Sequence, residues 1–420
     1  MDFAKEGNFF KRDTCRLCGS NNLEMVLPLT ATALCDAYVL AERVNEVQEV
    51  YPLELFMCRS CGYVHLPYTV NPEIIYRDYI YVTTSSLGLT NHFQKYANEV
   101  LYRIKPQRES IVIDIGSNDG TLLQYFKNGG MTVLGIEPAI EIAQNATKSG
   151  VETLPEFFNI ELSNKIRNKY GPATIITMNN LFANIDNLIE VTKGVRNLLG
   201  PDGVFVIESS YLADMINSMV FDFIYHEHLS YFSVKPLKIF FNRLNMDLID
   251  IQRIPTKGGS LRYYVQLNGG PRSISPVVSE LIEYEENIGL YSTEMFKKFS
   301  NKIDSRKAKL ISKLRELKRQ GKKIAGYGGS ATTTTLVYHF AISDMLEYIV
   351  DDNPAKQNTF SPGYHIPVLP SSVIYERRPD YIVVLAWRYF NPIVEKHQAY
   401  LDSGGHFIRP LPDFEIIGKL

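Results

Sequence analysis

Long apolar runs are missing from this chain. No stretch approaches the roughly 18 consecutive apolar residues of a membrane-spanning helix. A surplus of either charge is missing too. The 44 Lys and Arg against 46 Asp and Glu leave a net charge of −2, so bulk electrostatics give no reason to expect nucleic acid or a membrane surface as a partner. The start, Met1-Asp-Phe-Ala-Lys-Glu-Gly7, lacks a signal-peptide pattern. Cysteine is scarce, at five, which rules out a disulfide scaffold and, without a targeting pattern, points to the cytoplasm. There is one tryptophan, Trp387, against 26 tyrosines, an excess that suits polar, aromatic-lined clefts. What remains, 45% hydrophobic and 21% charged over 420 residues, is an ordinary globular composition with room for two or three domains.

The chain is organised around Ile111-Val-Ile-Asp114-Ile-Gly116-Ser-Asn118-Asp-Gly120-Thr-Leu-Leu123. A β-branched run enters a glycine turn, and a helix opens directly after it: the first strand and loop of a nucleotide-binding βα unit. Gly116 and Gly120 allow close backbone approach to a ligand, and the helix start offers N–H groups. The loop lacks both the G-x-G-x-x-G spacing of a dinucleotide fold and the G-K-[ST] of a P-loop. A second strand, Met131–Ile136, ends in Glu137-Pro138, an acid about 20 residues past the turn, where a ribose diol is normally held. The D-I-G-S-N-D-G run resembles the first motif of S-adenosylmethionine (SAM) methyltransferases. Residues 110–210 keep a βα rhythm, with strands expected at 111–115, 131–136, 173–178 and 203–208 and a short one near 151–154. Asn179 and Asn180 follow the third of these, so Gly116, Glu137 and the asparagines should converge on one crevice at the strand ends. Turn and N-cap chemistry is the competing account of the asparagines.

Four of the five cysteines form two C-x-x-C-G knuckles, Cys15/Cys18 and Cys58/Cys61. Such a turn aims two thiolates at one tetrahedral metal, and two matched copies read as structural zinc rather than redox pairs. With all four positions filled by cysteine, no place is open for catalytic water. Cys35 is left over as a buried thiol.

Other segments carry chemistry. Tyr76–Ser86 is rich in phenols and hydroxyls, and two readings stand: a surface strand and linker, or a lid over a polar ligand site. Phe223–Ser233 packs Tyr225, His226, Glu227, His228 and Tyr231 within seven residues. As a strand it would put Tyr225 and Glu227 on one face and the two histidines on the other; as a helix it would align Tyr225 with His228. A His-x-His metal site and an inert buried network are the rivals to a catalytic reading, which so dense a cluster favours. Lys257-Gly-Gly259-Ser260 before the strand Leu261–Gln266, with Arg262, is either a hairpin turn or a phosphate clamp. Residues 305–319 place Leu310, Leu314 and Leu317 at helical spacing. Lys323–Thr332 then repeats the strand, glycine turn and helix pattern. Its strand partner, Leu346–Val350, ends in Asp351, and strands follow at 381–385 and 406–409. The turn Gly326-Tyr327-Gly-Gly-Ser-Ala331 either holds a diphosphate or packs helix on strand.

In this order the motifs resemble one family over nearly the whole chain: the SAM-dependent sugar C-methyltransferases that make branched deoxysugars. Its members carry a C-x-x-C zinc domain, D-x-G-x-x-x-G, Y-H-E-H, G-G-S-L-R and a C-terminal Rossmann-like domain with G-Y-G. The resemblance implies an α/β fold in three parts: a small zinc-binding domain (1–75), a Rossmann-like SAM methyltransferase domain (76–236), and a second Rossmann-like domain (237–420) closing over a nucleotide sugar. It implies methylation at C3 of a nucleotide-linked 4-keto-6-deoxyhexose. SAM would be held by Asp114, Gly116, Asn118, Gly120, Glu137, Asn179, Asn180, Ser85 and Ser86. The sugar nucleotide would meet Tyr79, Tyr81, Asn184, Lys257, Gly259, Ser260, Arg262 and Tyr327. His228 would be the base and Glu227 its polarising neighbour, with Tyr225 or His226 donating to the enolate oxygen. Two positions depart from the family: Asn184 and Lys257 stand where histidines are often found, and asparagine is no base near neutral pH. Two alternatives accompany this reading, a SAM O-methyltransferase of a sugar or small metabolite and a non-enzymatic zinc-ribbon protein with a vestigial methyltransferase fold. The patterns imply no nucleic-acid or membrane partner and no particular oligomeric state.

Overall fold

The structure, a computed structural model, describes residues 8–76 and 89–418. The N-terminal unit is built on β1 (Phe9–Lys11), β2 (Leu23–Thr32), β3 (Tyr51–Cys58), β4 (Val64–His65) and β5 (Tyr68–Val70). β3 alternates, burying Tyr51, Leu53, Leu55 and Met57 against one core, as a half-buried antiparallel strand must. It pairs with β2 and β4 antiparallel, and β5 pairs with β1.

The central unit carries β6 (Ile111–Ile115), β7 (Thr132–Ile136), β8 (Thr153–Leu154), β9 (Ala173–Asn179), β10 (Leu199–Ser210), β11 (Ser230–Tyr231), β12 (Met246–Ile254) and β13 (Ser260–Leu267). Seven of these form one sheet in the order β12-β13-β10-β9-β6-β7-β8. The expected strands therefore lie where the alternation put them. β6 is flanked by β7 and β9, both parallel to it. The chain thus reverses direction of winding at β6, which opens a crevice at the strands' carboxyl ends. One face is covered by the helices Leu89–Ile104 and Thr121–Asn128 through Tyr96, Val100, Leu123 and Phe126. Ile113, Met178 and Phe205 on the other face share a core with the N-terminal unit and the C-terminal helices.

The boundary expected at 236/237 divides this sheet. β12 and β13 lie beyond it yet join the sheet through β10, so the unit runs to Leu267. They form an antiparallel addition to a parallel sheet, which the βα rhythm does not announce. β11 leaves the central sheet altogether and pairs with β4, making a four-stranded sheet β11-β4-β3-β2.

After the helices Pro276–Asn287 and Thr293–Arg319, the C-terminal unit forms a second sheet. It uses β14 (Ile324–Tyr327), β15 (Ile349–Asp351), β16 (Thr359–Phe360), β17 (Pro367–Pro370), β18 (Tyr381–Val384), β19 (His406–Arg409) and β20 (Glu415–Ile417), in the order β16-β17-β15-β14-β18-β19-β20. Its inner pairs are parallel and its edges antiparallel. Leu310, Leu314 and Leu317 are buried as their spacing required. No described helix is long and apolar enough to cross a membrane.

Candidate functional site

The glycine turn after β6 takes the conformations its residues permit. Gly116 and Gly120 have φ of 78° and 77°, and Asn118 has φ of 48°, in the left-handed region that asparagine tolerates. At Gly116 it is this backbone conformation that favours glycine, and a Cβ there would also push on Leu181 Cδ2, 2.6 Å away. Glu137 folds back over the turn: Oε2 accepts from Asn118 N at 3.0 Å and Oε1 from Ala139 N at 3.0 Å. A carboxylate has about four acceptor positions, so two remain for a diol. Burial pushes the Glu137 carboxyl up, against those two bonds. Asp114, inside β6, accepts from Thr177 Oγ1 at 2.6 Å, and burial raises it to about 7. Both amide atoms of Asn179, at the end of β9, are sealed from solvent with no hydrogen-bond partner among the described residues, and so is Ser117 Oγ. Buried polar groups are normally paired. The cradle, the acid and the orphaned amide together fit SAM, with Asn179 waiting for a ligand's polar atoms.

Asn180, at φ 56°, donates its N–H to Glu208 O at 2.8 Å and turns into a neighbouring cleft. This cleft is lined by Asn180, Ala183, Ser209, Ser210, Met215, Phe223, His228, Ser230 and Tyr231. The cleft therefore brings Asn180, after β9, and Ser209 and Ser210, at the end of β10, together with His228 of the Y-H-E-H segment. The segment itself is neither strand nor helix but a turn, closed by His228 N on Tyr225 O at 2.9 Å. That turn sets the Tyr225 and His228 rings against each other, centroids 4.2 Å apart and planes tilted by 33°. His228 Nδ1 lies 3.0 Å from Phe223 O. A carbonyl only accepts, so Nδ1 carries a proton there.

His226 departs from the catalytic reading. Its Nε2 donates to Tyr51 O and Pro52 O, each at 3.2 Å, and it is 2% exposed against the N-terminal unit. Burial pushes it down to about 4 despite those bonds. The turn sends His226 toward Tyr51 and Pro52 and leaves Tyr225 against His228. Glu227 is half-buried near Cys35, whose thiol its charge helps to raise after burial itself. Asn184 ends the short helical turn Phe182–Asn184 beside Ala183, its N–H on Leu181 O at 2.8 Å.

Arg262 is a second correction. Its Nε and Nη2 lie 3.0 and 2.8 Å from Glu208 Oε2, its Nη1 is 3.2 Å from Glu99, and its plane lies over Tyr96 at 3.9 Å. Sealed beneath the sheet, it has no reach to a phosphate. Burial alone would raise the Glu208 carboxyl, but the His92 hydrogen bond at 2.6 Å and the Arg262 charge hold it below its ordinary value. Ser260 is also buried, its Oγ on Thr256 O at 3.1 Å, and Gly259, at φ 121°, packs against Asp214. The Lys257–Ser260 segment is a hairpin turn.

The second glycine turn resolves the same way. Gly329 N donates to Asp351 Oδ2 at 2.6 Å, and Gly329 O is covered by Tyr38 of the N-terminal unit. The Tyr327 hydroxyl is buried between Asp352 Oδ2 at 2.8 Å and His397 Nε2 at 3.0 Å. This turn packs units together, and Tyr327 is not placed to meet a substrate. Tyr79, Tyr81, Ser85 and Ser86 lie outside the described residues.

The two knuckles converge. Cys15 and Cys61 sulfurs are 3.7 Å apart, Cys18 and Cys58 sulfurs 3.5 Å, and all four lie within 4.8 Å of one another. A tetrahedral zinc with bonds of about 2.3 Å sets its sulfurs roughly 3.8 Å apart, so the set fits. The hydrogen bond between Cys15 and Cys61 pulls the Cys15 thiol down and pushes the Cys61 thiol up.

Sequence reasoning missed His92, Glu208, Ser209, Ser210 and Asp222. The run Glu208-Ser-Ser210 at a strand end was the available signal. Asp222, fully buried, accepts from Trp387 Nε1 at 2.9 Å and pairs with Arg388 Nη1 at 3.3 Å, while Arg388 lies 4.6 Å over the Phe223 ring. Trp387, Arg388 and Arg409 line a hollow between the C-terminal unit and the turn at Gly258. Phe223, which carries Arg388 over its ring, also lines the cleft with His228.

Comparison with known families gives three matches. Residues 15–76 match a family described as "Putative zinc binding domain", residues 90–251 a methyltransferase domain, and residues 255–412 a C-methyltransferase C-terminal domain. The C-methyltransferase NovU of Streptomyces niveus is 29% identical over 406 residues, 96% of this chain and 97% of that protein. Among solved structures, a SAM-dependent methyltransferase of Clostridium acetobutylicum is 14% identical with TM-score 0.35, covering 47% of this chain and 96% of that one. The CcbJ methyltransferase of Streptomyces caelestis is 14% identical with TM-score 0.34, covering 42% and 90%.

Proposed function

Because this chain is a SAM-dependent C-methyltransferase with a zinc-binding N-terminal unit, we propose that its acceptor is C3 of a nucleotide-linked 4-keto-6-deoxy sugar, in branched deoxysugar biosynthesis. The O-methyl and non-enzymatic alternatives fall with that premise. Methylating carbon needs a carbanion equivalent, and a C4 ketone supplies one by acidifying the C3–H. The observation that carries the reading is a placement: His228, its Nδ1 3.0 Å from Phe223 O, lines one cleft together with Asn180 and Ser209. Imidazole is the side chain most often used as a general base in proton abstraction. Tyr225, packed against that ring, donates to the oxygen where the enolate's charge develops. Asn184 serves as a hydrogen-bonding group. SAM, when bound, supplies the electrophilic methyl.

Glu137 takes the ribose hydroxyls, the turn at Gly116–Gly120 borders the methionine portion, and Asn179 meets the cofactor's polar atoms. The hollow with Trp387, Arg388 and Arg409 supports a nucleotide diphosphate as the sugar's handle: an indole for the base and guanidinium groups for phosphate, with Arg388 over the Phe223 ring that also lines the cleft. On this reading the C-terminal unit closes over the nucleotide sugar. The test is mass spectrometry of the protein with SAM and paired nucleotide-linked 4-keto and 4-hydroxy sugars. Methyl gain with the ketone alone is the expected result. Methyl gain with the hydroxy sugar, or with neither member of any pair, would overturn the substrate.

A further inference from the structure

Both walls of the methyl-transfer cleft hang from the cysteine-bearing unit. Arg16 is a spacer residue inside the first knuckle, between Cys15 and Cys18, and its side chain is fully buried. Its Nε donates to Asp186 Oδ1 at 3.0 Å, Nη1 to His65 Nδ1 at 2.8 Å and Leu66 O at 2.6 Å, and Nη2 to Thr69 Oγ1 at 2.8 Å. Arg12 and Thr69 hold the same carboxylate, at 2.5 and 3.1 Å. Asp186 ends the segment from Asn180 that forms one wall of the cleft. The other wall follows from the second knuckle. Two residues past Cys61, the Tyr63 hydroxyl donates to Ser230 Oγ, and β4 pairs with β11 directly after His228. Leu66 N on Leu229 O at 3.0 Å extends that pairing.

The desolvated guanidinium makes this costly to arrange without purpose, since a buried charge must be paired and hydrogen-bonded throughout. The knuckle backbone fixes where Arg16 starts, and the metal fixes the knuckle. We propose that Arg16 and Tyr63 are positioning residues, which carry the geometry of the cysteine cluster to the two cleft walls and so set the distance between His228 and Asn180. The proposal rests on the cleft reading above but not on the identity of the sugar. Arg16 and Tyr63 bond to Asp186 and Ser230 rather than to the Gly116–Glu137 crevice, which is expected to keep its shape when the coupling is cut. Misplacing reacting groups by about 1 Å costs on the order of 10²-fold in rate, so the link bears on turnover rather than on cofactor affinity.

The test is backbone amide exchange by mass spectrometry on the full-length protein as Arg16→Gln and Tyr63→Phe, with zinc content and SAM affinity measured alongside. Arg16→Gln is expected to quicken exchange in 180–186, Tyr63→Phe in 224–231, and chelation of the wild type in both, with 111–137 unchanged. SAM affinity should hold while methyl transfer falls, roughly tenfold for the single hydroxyl lost in Tyr63→Phe. Tyr63→Phe keeps its ring packing and stays informative if Arg16→Gln does not fold. Unchanged exchange in 224–231 and unchanged turnover in zinc-loaded Tyr63→Phe would overturn the coupling. Failure of every 4-keto sugar would overturn the substrate and leave the exchange result standing.

Discussion

Arg262 meets Glu208 along one edge of its guanidinium, with Nε and Nη2 both on Oε2 and the two side chains 1% and 3% exposed. The pair ties β13 to the end of β10, immediately before Ser209 and Ser210 of the cleft. Removing one partner of such a pair leaves an uncompensated buried charge, whereas removing both need not. Arg262→Met is therefore expected to lower stability by about 3–5 kcal/mol, and Arg262→Met with Glu208→Gln to recover much of that loss. Chemical denaturation of the two variants beside wild type checks this. Equal losses would mean that the pair's charge is not what holds the strand end.

The pH dependence of stability follows from His226. Its pKa is about 4 against an ordinary 6.5 because it is buried. Between those values the unfolded chain binds a proton that the folded chain refuses, so stability falls as pH drops from 6.5 to 4. The contribution is about 3 kcal/mol across that window. His226→Gln keeps a donor for Tyr51 O and Pro52 O but does not titrate, and its melting temperature should fall less steeply over the same window. His339, also near 4 by burial, leaves a residual slope.

Much of the fold was legible because it is periodic. β6, β7, β9 and β10 each fall on an apolar run, and the leucines of Thr293–Arg319 on a helical stripe. The metal site was legible because two identical knuckles leave few other uses for four thiols. Side-chain destinations were less so. Arg262 and Tyr327 looked like ligand contacts by following glycine turns, yet burial turned each onto a carboxylate. In Y-H-E-H the sequence offered a strand or a helix, and the turn that formed separates His226 from His228. The antiparallel strands β12 and β13 hid behind a βα rhythm that had already ended. Arg16 was invisible for another reason: a residue between metal ligands reads as a spacer, and its partner Asp186 is 170 residues away.

Catalysis by His228 is tested by removing its imidazole. General-base catalysis contributes typically 10²–10⁴-fold, so His228→Ala should lose about 3–5 kcal/mol of barrier lowering. Solvent deuterium exchange at C3 of the keto sugar should fall with methyl transfer, while SAM affinity by calorimetry stays at the wild-type value. Exchange that continues at the wild-type rate in His228→Ala would remove the residue from the role.

Asn179 separates cofactor binding from stability. Its amide is buried at the end of β9, with neither atom paired among the described residues, and an unpaired buried amide costs about 1–3 kcal/mol. A group retained at that cost in the empty protein is expected to recover it when a ligand supplies the partners. Asn179→Leu has similar volume and no polar atoms. It should unfold at the same or a higher denaturant concentration than wild type without SAM, yet bind SAM about 10- to 100-fold more weakly, the equivalent of that same 1–3 kcal/mol. Calorimetric titration with SAM and denaturation without it give the two halves of the test. Unchanged affinity would remove Asn179 from the cofactor site, and lost stability in the empty protein would show that the amide already has a partner there.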